Sequence, residues 1–321
     1  MIEFSKIIIF NSFSQIVTCN FRIYPMNSFW KFGYMMFLLF LINCKVHNTS
    51  TKLFEVPPTL LSSQFTFTEG PASDKEGNVY FTDQPNDKIY FWNWKTNKVE
   101  LFLAKTGRAN GAYFDKNDNL ITCSDDNGEI WKINKNKDIQ VLSKGFEGKR
   151  LNGPNDLWID KFGGIYFTDP LYERDYWKNF KTEIPEKNLY YRNQNGTITK
   201  LETFVQPNGI VGSQKFKKLY VSDINAGKTY VYQILGEGKL SEKKLFCEMG
   251  SDGMTLDSQG NLYLTGKGVT IFNNKGEKLI NIPIDEEWTS NVTFGGKNNS
   301  TLFITASNSV YVLPMNVSGI Q

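Results

Sequence analysis

From about residue 60 onward, apolar runs of three to five residues alternate with polar turns almost to the end of the chain. Leu157-Trp-Ile159 and Ile165-Tyr-Phe167 flank a turn holding Gly163 and Gly164, which predicts two antiparallel strands. A polar turn carrying Asn155 leads into this pair. The same arrangement recurs from Glu69 to Asp83, at Asn110-Gly-Ala-Tyr-Phe114, from Asn208-Gly-Ile-Val211 to Asp223, from Asp252 to Leu264, and more weakly after Asn291. The leading polar residues fall at 69, 110, 155, 208, 252 and 291, at intervals of 41, 45, 53, 44 and 39. A period of 40–45 residues holding several short strands is the signature of a propeller blade. The expected fold is therefore all-β, a six-bladed β-propeller over residues 51–321.

In that architecture the first strand of each blade lines the central channel. Glu69, Asn110, Asn155, Asn208, Asp252 and Asn291 would then converge on one axis. A competing reading makes each polar–Gly pair an ordinary turn. Six polar residues at blade spacing, four of them followed by glycine, favour a site. The stretch Leu53–Leu61, with Pro57 and Pro58, is expected to close the ring on the last blade. The longest interval comes from an insertion over 171–187, read either as a lid over the channel mouth or as a packing loop carrying Tyr172, Tyr176 and Trp177.

Residues 1–50 are set apart from this pattern. Phe32–Asn43 is a mostly apolar run behind Lys31, too short for a spanning helix but suited to an export signal. Met26 is a second candidate start. Leu41-Ile-Asn-Cys44 resembles a lipoprotein cleavage box, with Asn43 where a small residue is usual. The alternatives are an uncleaved anchor and an ordinary signal peptide. The expectation is an exported chain, periplasmic or tethered to a membrane through its N-terminus. The net charge of +3 resides wholly in this leader, leaving the propeller neutral and without the basic face that nucleic acid requires.

The only histidine, His47, lies before the propeller, so the domain has none. Histidine general bases, Ser-His-Asp and Cys-His catalysis and histidine-ligated zinc are excluded with it. The carboxylate and amide oxygens of Glu69, Asn155, Asn208 and Asp252, with Asn110 and Asn291 beside them, are hard donors suited to Ca²⁺ or Mg²⁺. Cys123 and Cys247 lie in apolar strand-like surroundings and read as core residues.

Thr68-Glu-Gly-Pro71, Gly107-Arg-Ala-Asn-Gly111, Lys149-Arg-Leu-Asn-Gly-Pro-Asn-Asp156, Tyr166-Phe-Thr-Asp-Pro170, Gln206-Pro-Asn-Gly209 and Ser251-Asp-Gly-Met254 together resemble the senescence marker protein/gluconolactonase/luciferin-regenerating enzyme family. The resemblance spans roughly residues 60–315. It implies a lactonase with one divalent cation, Ca²⁺ foremost with Mg²⁺, Mn²⁺ or Zn²⁺ as alternatives. Its ligands would be Glu69, Asn155, Asn208 and Asp252, with Asp252 also the base. Substrate contacts are assigned to Asn110, Asn291, Arg108 and Arg150, although both arginines could equally pair with surface acids. A second, structural calcium found in one branch of the family uses an aspartate where Thr255 stands here. The alternatives are a metal-stabilised binding scaffold and a hydrolase of phosphotriesters or other esters.

Overall fold

Leu157–Ile159 and Ile165–Asp169 pair antiparallel, Leu157 opposite Phe167 and Ile159 opposite Ile165. The turn between them is held by Asp160 Oδ1, which accepts from the backbone N–H groups of Phe162 and Gly164, both at 2.9 Å. Asp74, Asp115 and Asp257 make the same two bonds in their own blades, to residues two and four further on. The recurring aspartate is thus the device that turns the inner strand back into the second.

The computed structural model describes the backbone of residues 2–9, 15–24, 39–48, 52–177 and 181–320, and the side chains of 52–177 and 181–320. The chain divides into two units, Met1–Leu53 and Phe54–Gln321. In the first, strands Ile2–Ile9, Gln15–Tyr24 and Leu39–Asn48 form one antiparallel sheet in that order. Met26 and the part of the leader's apolar run before Leu39 lie outside the described residues, as does the side chain of Cys44.

The second unit is a β-propeller of six sheets. Blade one comprises Thr68–Ser73, Val79–Asp83, Lys88–Asn93 and Lys98–Ala104, joined in sequence order. Four further sheets repeat this order across 109–143, 157–204, 207–247 and 254–282, the fourth blade carrying one extra short strand. The sixth is composite. Thr289–Gly295, Thr301–Ala306 and Ser309–Pro314 take their outer strand from Thr59–Ser62 at the other end of the domain. Ring closure by the leading segment is therefore observed. The strand starts only after Pro57 and Pro58, because proline has no N–H to give the ladder.

The core lies between blades. Phe65, Val79, Phe81 and Trp92 of the first blade and its approach pack on Phe303 and Val310 of the sixth, with the Phe81 and Phe303 rings 5.4 Å apart. Second strands are buried on both faces, which is why Ile165–Asp169 and Leu262–Gly266 are buried at every position. Cys123 and Cys247 are free thiols within this packing, and burial pushes the Cys247 thiol up to about 11.

Candidate metal and active site

Glu69, Asn110, Asn208 and Asn291 sit within inner strands, and Asn155 and Asp252 two residues before theirs. The register against the second strand shifts between Glu69 and Ala72, between Pro207 and Ile210, and between Thr289 and Asn291, and a matching irregularity brackets Asn110. Such bulges re-aim a side chain out of the alternating pattern, and here they mark the channel residues.

The glycine that follows four of these residues has a steric reason. A Cβ on Gly70 would lie 1.9 Å from the Asn110 carbonyl oxygen, and Gly70 has φ +47°. A Cβ on Gly111 would stand 2.5 Å from the Asn155 carbonyl oxygen, and one on Gly209 2.4 Å from that of Asp252. On Gly253 it would overlap the Asn291 side chain. These four inner strands thus lean on the next blade's channel residue, and only glycine fits. The polar–Gly pairs are close-approach positions near the axis, not turns.

The Thr/Ser–Asp pair that ends the second strands of the first four blades is a further repeated device. Thr82 Oγ1 donates to the Asn110 carbonyl at 3.1 Å and Thr168 Oγ1 to the Asn208 carbonyl at 2.7 Å, so each threonine holds the next blade's channel residue by its backbone. Asp83 accepts from the N–H groups of Thr66 and Phe67, Asp169 from Asn152 and Gly153, and Asp223 from Val205 and Gln206. Those bonds clamp the loop entering the inner strand.

At one mouth of the channel these devices shape a cavity of about 260 Å³ lined by Glu69, Asn110, Asn155, Asn208 and Asp252 together with Phe67, Gln84, Tyr172, Arg174, Ile224 and Trp288. Trp288 Nε1 donates to Asp252 Oδ2 at 2.6 Å, and Asn208 Nδ2 to the Tyr172 hydroxyl at 2.9 Å. Asn291 turns away from the cavity wall and donates to Glu69 Oε2 at 3.0 Å, alongside the Gly70 N–H at 2.7 Å. Asn110 Oδ1 is buried without a hydrogen-bond partner.

Burial pushes Asp252 up to about 6, against the downward pull of its bonds from Trp288 and Asn208 and of the Arg174 charge. Glu69 is raised well above the usual carboxylate range, by burial first and then by the negative charge of Asp252, with Asp156 adding to it. Asp156, behind Asn155, is pushed up to about 7 by burial. A cavity that crowds buried carboxylates in this way opposes their ionisation unless a cation joins them. Among the described residues no three Asp, Glu, Cys or His side chains are grouped to hold a metal. The donor set that fits a hard cation is mixed: carboxylates from Glu69 and Asp252, amide oxygens from Asn155 and Asn208.

Arg108 and Arg150 do not line the cavity. Arg108 Nη1 donates to the Pro85 carbonyl, and its guanidinium lies 4.0 Å from the Tyr176 ring centre. Arg150 donates to the carbonyls of Leu151, Asp125 and Asp126 and stacks on Trp177. The insertion combines both roles its sequence suggested: Tyr172 and Arg174 form cavity wall, while Tyr176 and Trp177 pack on the arginines. Reading the sequence left out Gln84, Tyr172, Arg174 and Trp288 as wall residues. The extra length of the third blade was the signal for two of them; Trp288, just ahead of the weakest repeat, gave none.

The family profile described as SMP-30/Gluconolactonase/LRE-like region matches residues 67–308. The chain is 30% identical to the gluconolactonase of Zymomonas mobilis, over 79% of this chain and 80% of that one. It is 25% identical to the diisopropyl-fluorophosphatase of Loligo vulgaris, over 74% of this chain and 84% of that one. The solved gluconolactonase of Xanthomonas campestris superposes with a TM-score of 0.77 at 26% identity, covering 83% of this chain and 91% of that one. With its six blades and a profile match running from the first channel strand into the last blade, the chain belongs to the SMP-30/gluconolactonase/LRE-like family.

Proposed function

We propose that the protein is a lactone hydrolase that works with a divalent cation, Ca²⁺ foremost. The observation that carries this reading is the gathering of Glu69, Asn155, Asn208 and Asp252 on the wall of one cavity, with both carboxyls buried and raised. The gluconolactonase relative supports the choice of a lactone. When bound by those four residues, the cation supplies Lewis-acid polarisation of the ester carbonyl.

The chain's own groups do the rest. Trp288 holds Asp252 through Oδ2, and this carboxylate accepts the proton of the attacking water. The water oxygen bonds to the carbonyl carbon, the ring C–O bond breaks, and the proton held by Asp252 passes to the departing ring oxygen. The product is an open hydroxy acid, which ionises in solution. Tyr172, fixed by Asn208, borders the space the ring must occupy.

The test is hydrolysis of glucono-δ-lactone by the full chain, followed by alkali uptake at constant pH. It is run with chelator and then with Ca²⁺, Mg²⁺, Mn²⁺ or Zn²⁺, beside diisopropyl fluorophosphate as alternative substrate. Metal-dependent lactone opening is expected. Turnover of the phosphofluoridate alone would move the reading to the activity named for the squid relative. A rise in melting temperature with metal but no turnover of either substrate would leave a binding scaffold.

We further propose that residues 1–50 direct export and that Cys44 is the lipid anchor, on the apolar run before it. Incorporation of labelled palmitate that is lost in Cys44→Ser is the expected result; labelling unchanged by the substitution refutes the anchor.

A further inference from the structure

The carboxylate that ends the second strand behaves differently in blade two. Asp83, Asp169 and Asp223 each clamp the loop entering their own inner strand. Asp125 holds the same place in its blade, after Ser124, yet its carboxylate accepts from neither of the N–H groups that would correspond. That task has passed to Asp87, whose Oδ1 takes the N–H groups of Thr106 and Arg108, both at 2.8 Å. Asp125 is thereby free to face the channel mouth. Its Oδ2 accepts from Gln84 Nε2 at 3.1 Å, from Arg174 Nε at 3.0 Å and from the Tyr176 hydroxyl.

A buried carboxylate is costly to keep, and the fold has already arranged its structural substitute. What Asp125 secures is the insertion, and within it one side chain above all. Arg174 is tied through Nε, its guanidinium lies 5.4 Å from the Tyr172 ring centre, and it lines the cavity with Glu69, Asn208 and Asp252. Its Nη1 and Nη2 groups donate to no described residue. A guanidinium held from behind presents its remaining N–H groups as a rigid fork. The Arg174–Asp125 pair is neutral as a unit, so the fork suits the hydroxyl oxygens of a ligand. Only Phe67 and Ile224 line that cavity without a polar tip.

Building on the lactonase reading above, we propose that Arg174 is the substrate-recognising group of the insertion, donating to hydroxyl oxygens of a polyhydroxylated lactone, and that Asp125 is the positioning residue that aims it. The discrimination between a sugar-acid lactone and a bare lactone ring then resides in the insertion and not in the four channel donors.

Glucono-δ-lactone and δ-valerolactone are compared as substrates of the metal-loaded full chain, with binding of sodium gluconate followed by calorimetry. Arg174→Met is expected to raise KM for gluconolactone roughly tenfold, with a smaller change in kcat, and to lower the preference for gluconolactone over valerolactone by a similar factor. Arg174→Lys should recover part of it, since charge is kept and the fork is lost. Asp125→Asn should shift the same KM, and in the Arg174→Met background it should add little, because the two act as one unit. An unchanged preference in Arg174→Met overturns the proposal, as does a full additional effect of Asp125→Asn in the double variant. Arg174→Met alone suffices if Asp125→Asn does not fold. Should the wild type open no lactone yet bind gluconate through Arg174, the lactonase reading falls and the recognition site stands. Gluconate binding that ignores Arg174 sinks the recognition site whatever the activity.

Discussion

The two mouths of the channel hold cavities of nearly equal size, about 260 Å³ at the Glu69 end and about 250 Å³ at the other. Their linings differ in kind. The first gathers carboxylates, amides, a phenol and a guanidinium from successive blades. The second sets hydrocarbon from Pro71, Leu157, Ile210, Met254 and Phe294 beside Asp156, Asn291 and the charged turn residues Lys75, Asp115 and Lys116. The same inner strands build both, entering at the first mouth and leaving at the second. Volume therefore does not locate the site; the placing of donors does. The bulges at the start of four inner strands turn polar side chains towards the first mouth, and beyond them the strands bring Ile210, Val292 and Phe294 into the wall of the second.

Removing the donors should break that contrast most severely. Asp252→Asn keeps the bond from Trp288 available and loses the base, so lactone hydrolysis should fall by about 10³-fold, within the range seen for general bases. The same substitution should abolish any rise in melting temperature on adding Ca²⁺. Hydrolysis within a few-fold of wild type would take Asp252 out of the chemistry.

Next in size is the effect on the close approach of neighbouring inner strands. Gly70→Ala puts a Cβ against the Asn110 carbonyl and should destabilise the domain by about 3 kcal/mol in urea unfolding. Gly227→Ala, at φ +65° with open space around it, should lose only about 1–2 kcal/mol from its backbone conformation. Equal losses would mean that backbone conformation, not packing at the axis, sets the requirement.

Asp156 lies between the mouths, and its titration tests how dry that region is. Burial raises its carboxyl to about 7, above its value in the unfolded chain. Its contribution to stability is thus fully present at acid pH, below the unfolded value, and is lost as pH rises through 7. In chelator, the melting temperature should fall between pH 5.5 and 8.5, and Asp156→Asn should make that fall shallower. A slope identical in the two proteins would place Asp156 in contact with bulk water. The smallest effect is expected at the second mouth itself, where Thr293→Val should leave kcat/KM within about twofold.

Much of this was legible in the chain. The six leading residues could be aligned because each blade repeats one short grammar, and the pairing of Leu157–Ile159 with Ile165–Asp169 followed from alternation and the two glycines between them. Closure by the leading segment was readable because a ring must hide its ends. Glu69, Asn155, Asn208 and Asp252 were singled out by position within the repeat, and the fold brings them to one cavity. Asp125 was not legible as a special residue, since Ser124-Asp125 looks like Ser222-Asp223 and only the arrival of Asp87 at the loop distinguishes them. Nor could spacing tell that Arg108 and Arg150 would be spent on carbonyls and aromatic rings while Arg174 reached the cavity.

The amino-acid sequence by itself determined the architecture, the number of blades and the ring of oxygen donors, because these depend on a period, an alternation and a repeated residue, all local in the chain. Only the tertiary structure decided which arginine lines the cavity, that four glycines make room for the next blade's channel residue, and that Trp288 holds Asp252. Those outcomes depend on contacts between residues tens to hundreds of positions apart, where side chains of the same chemical type compete for a place and packing chooses among them.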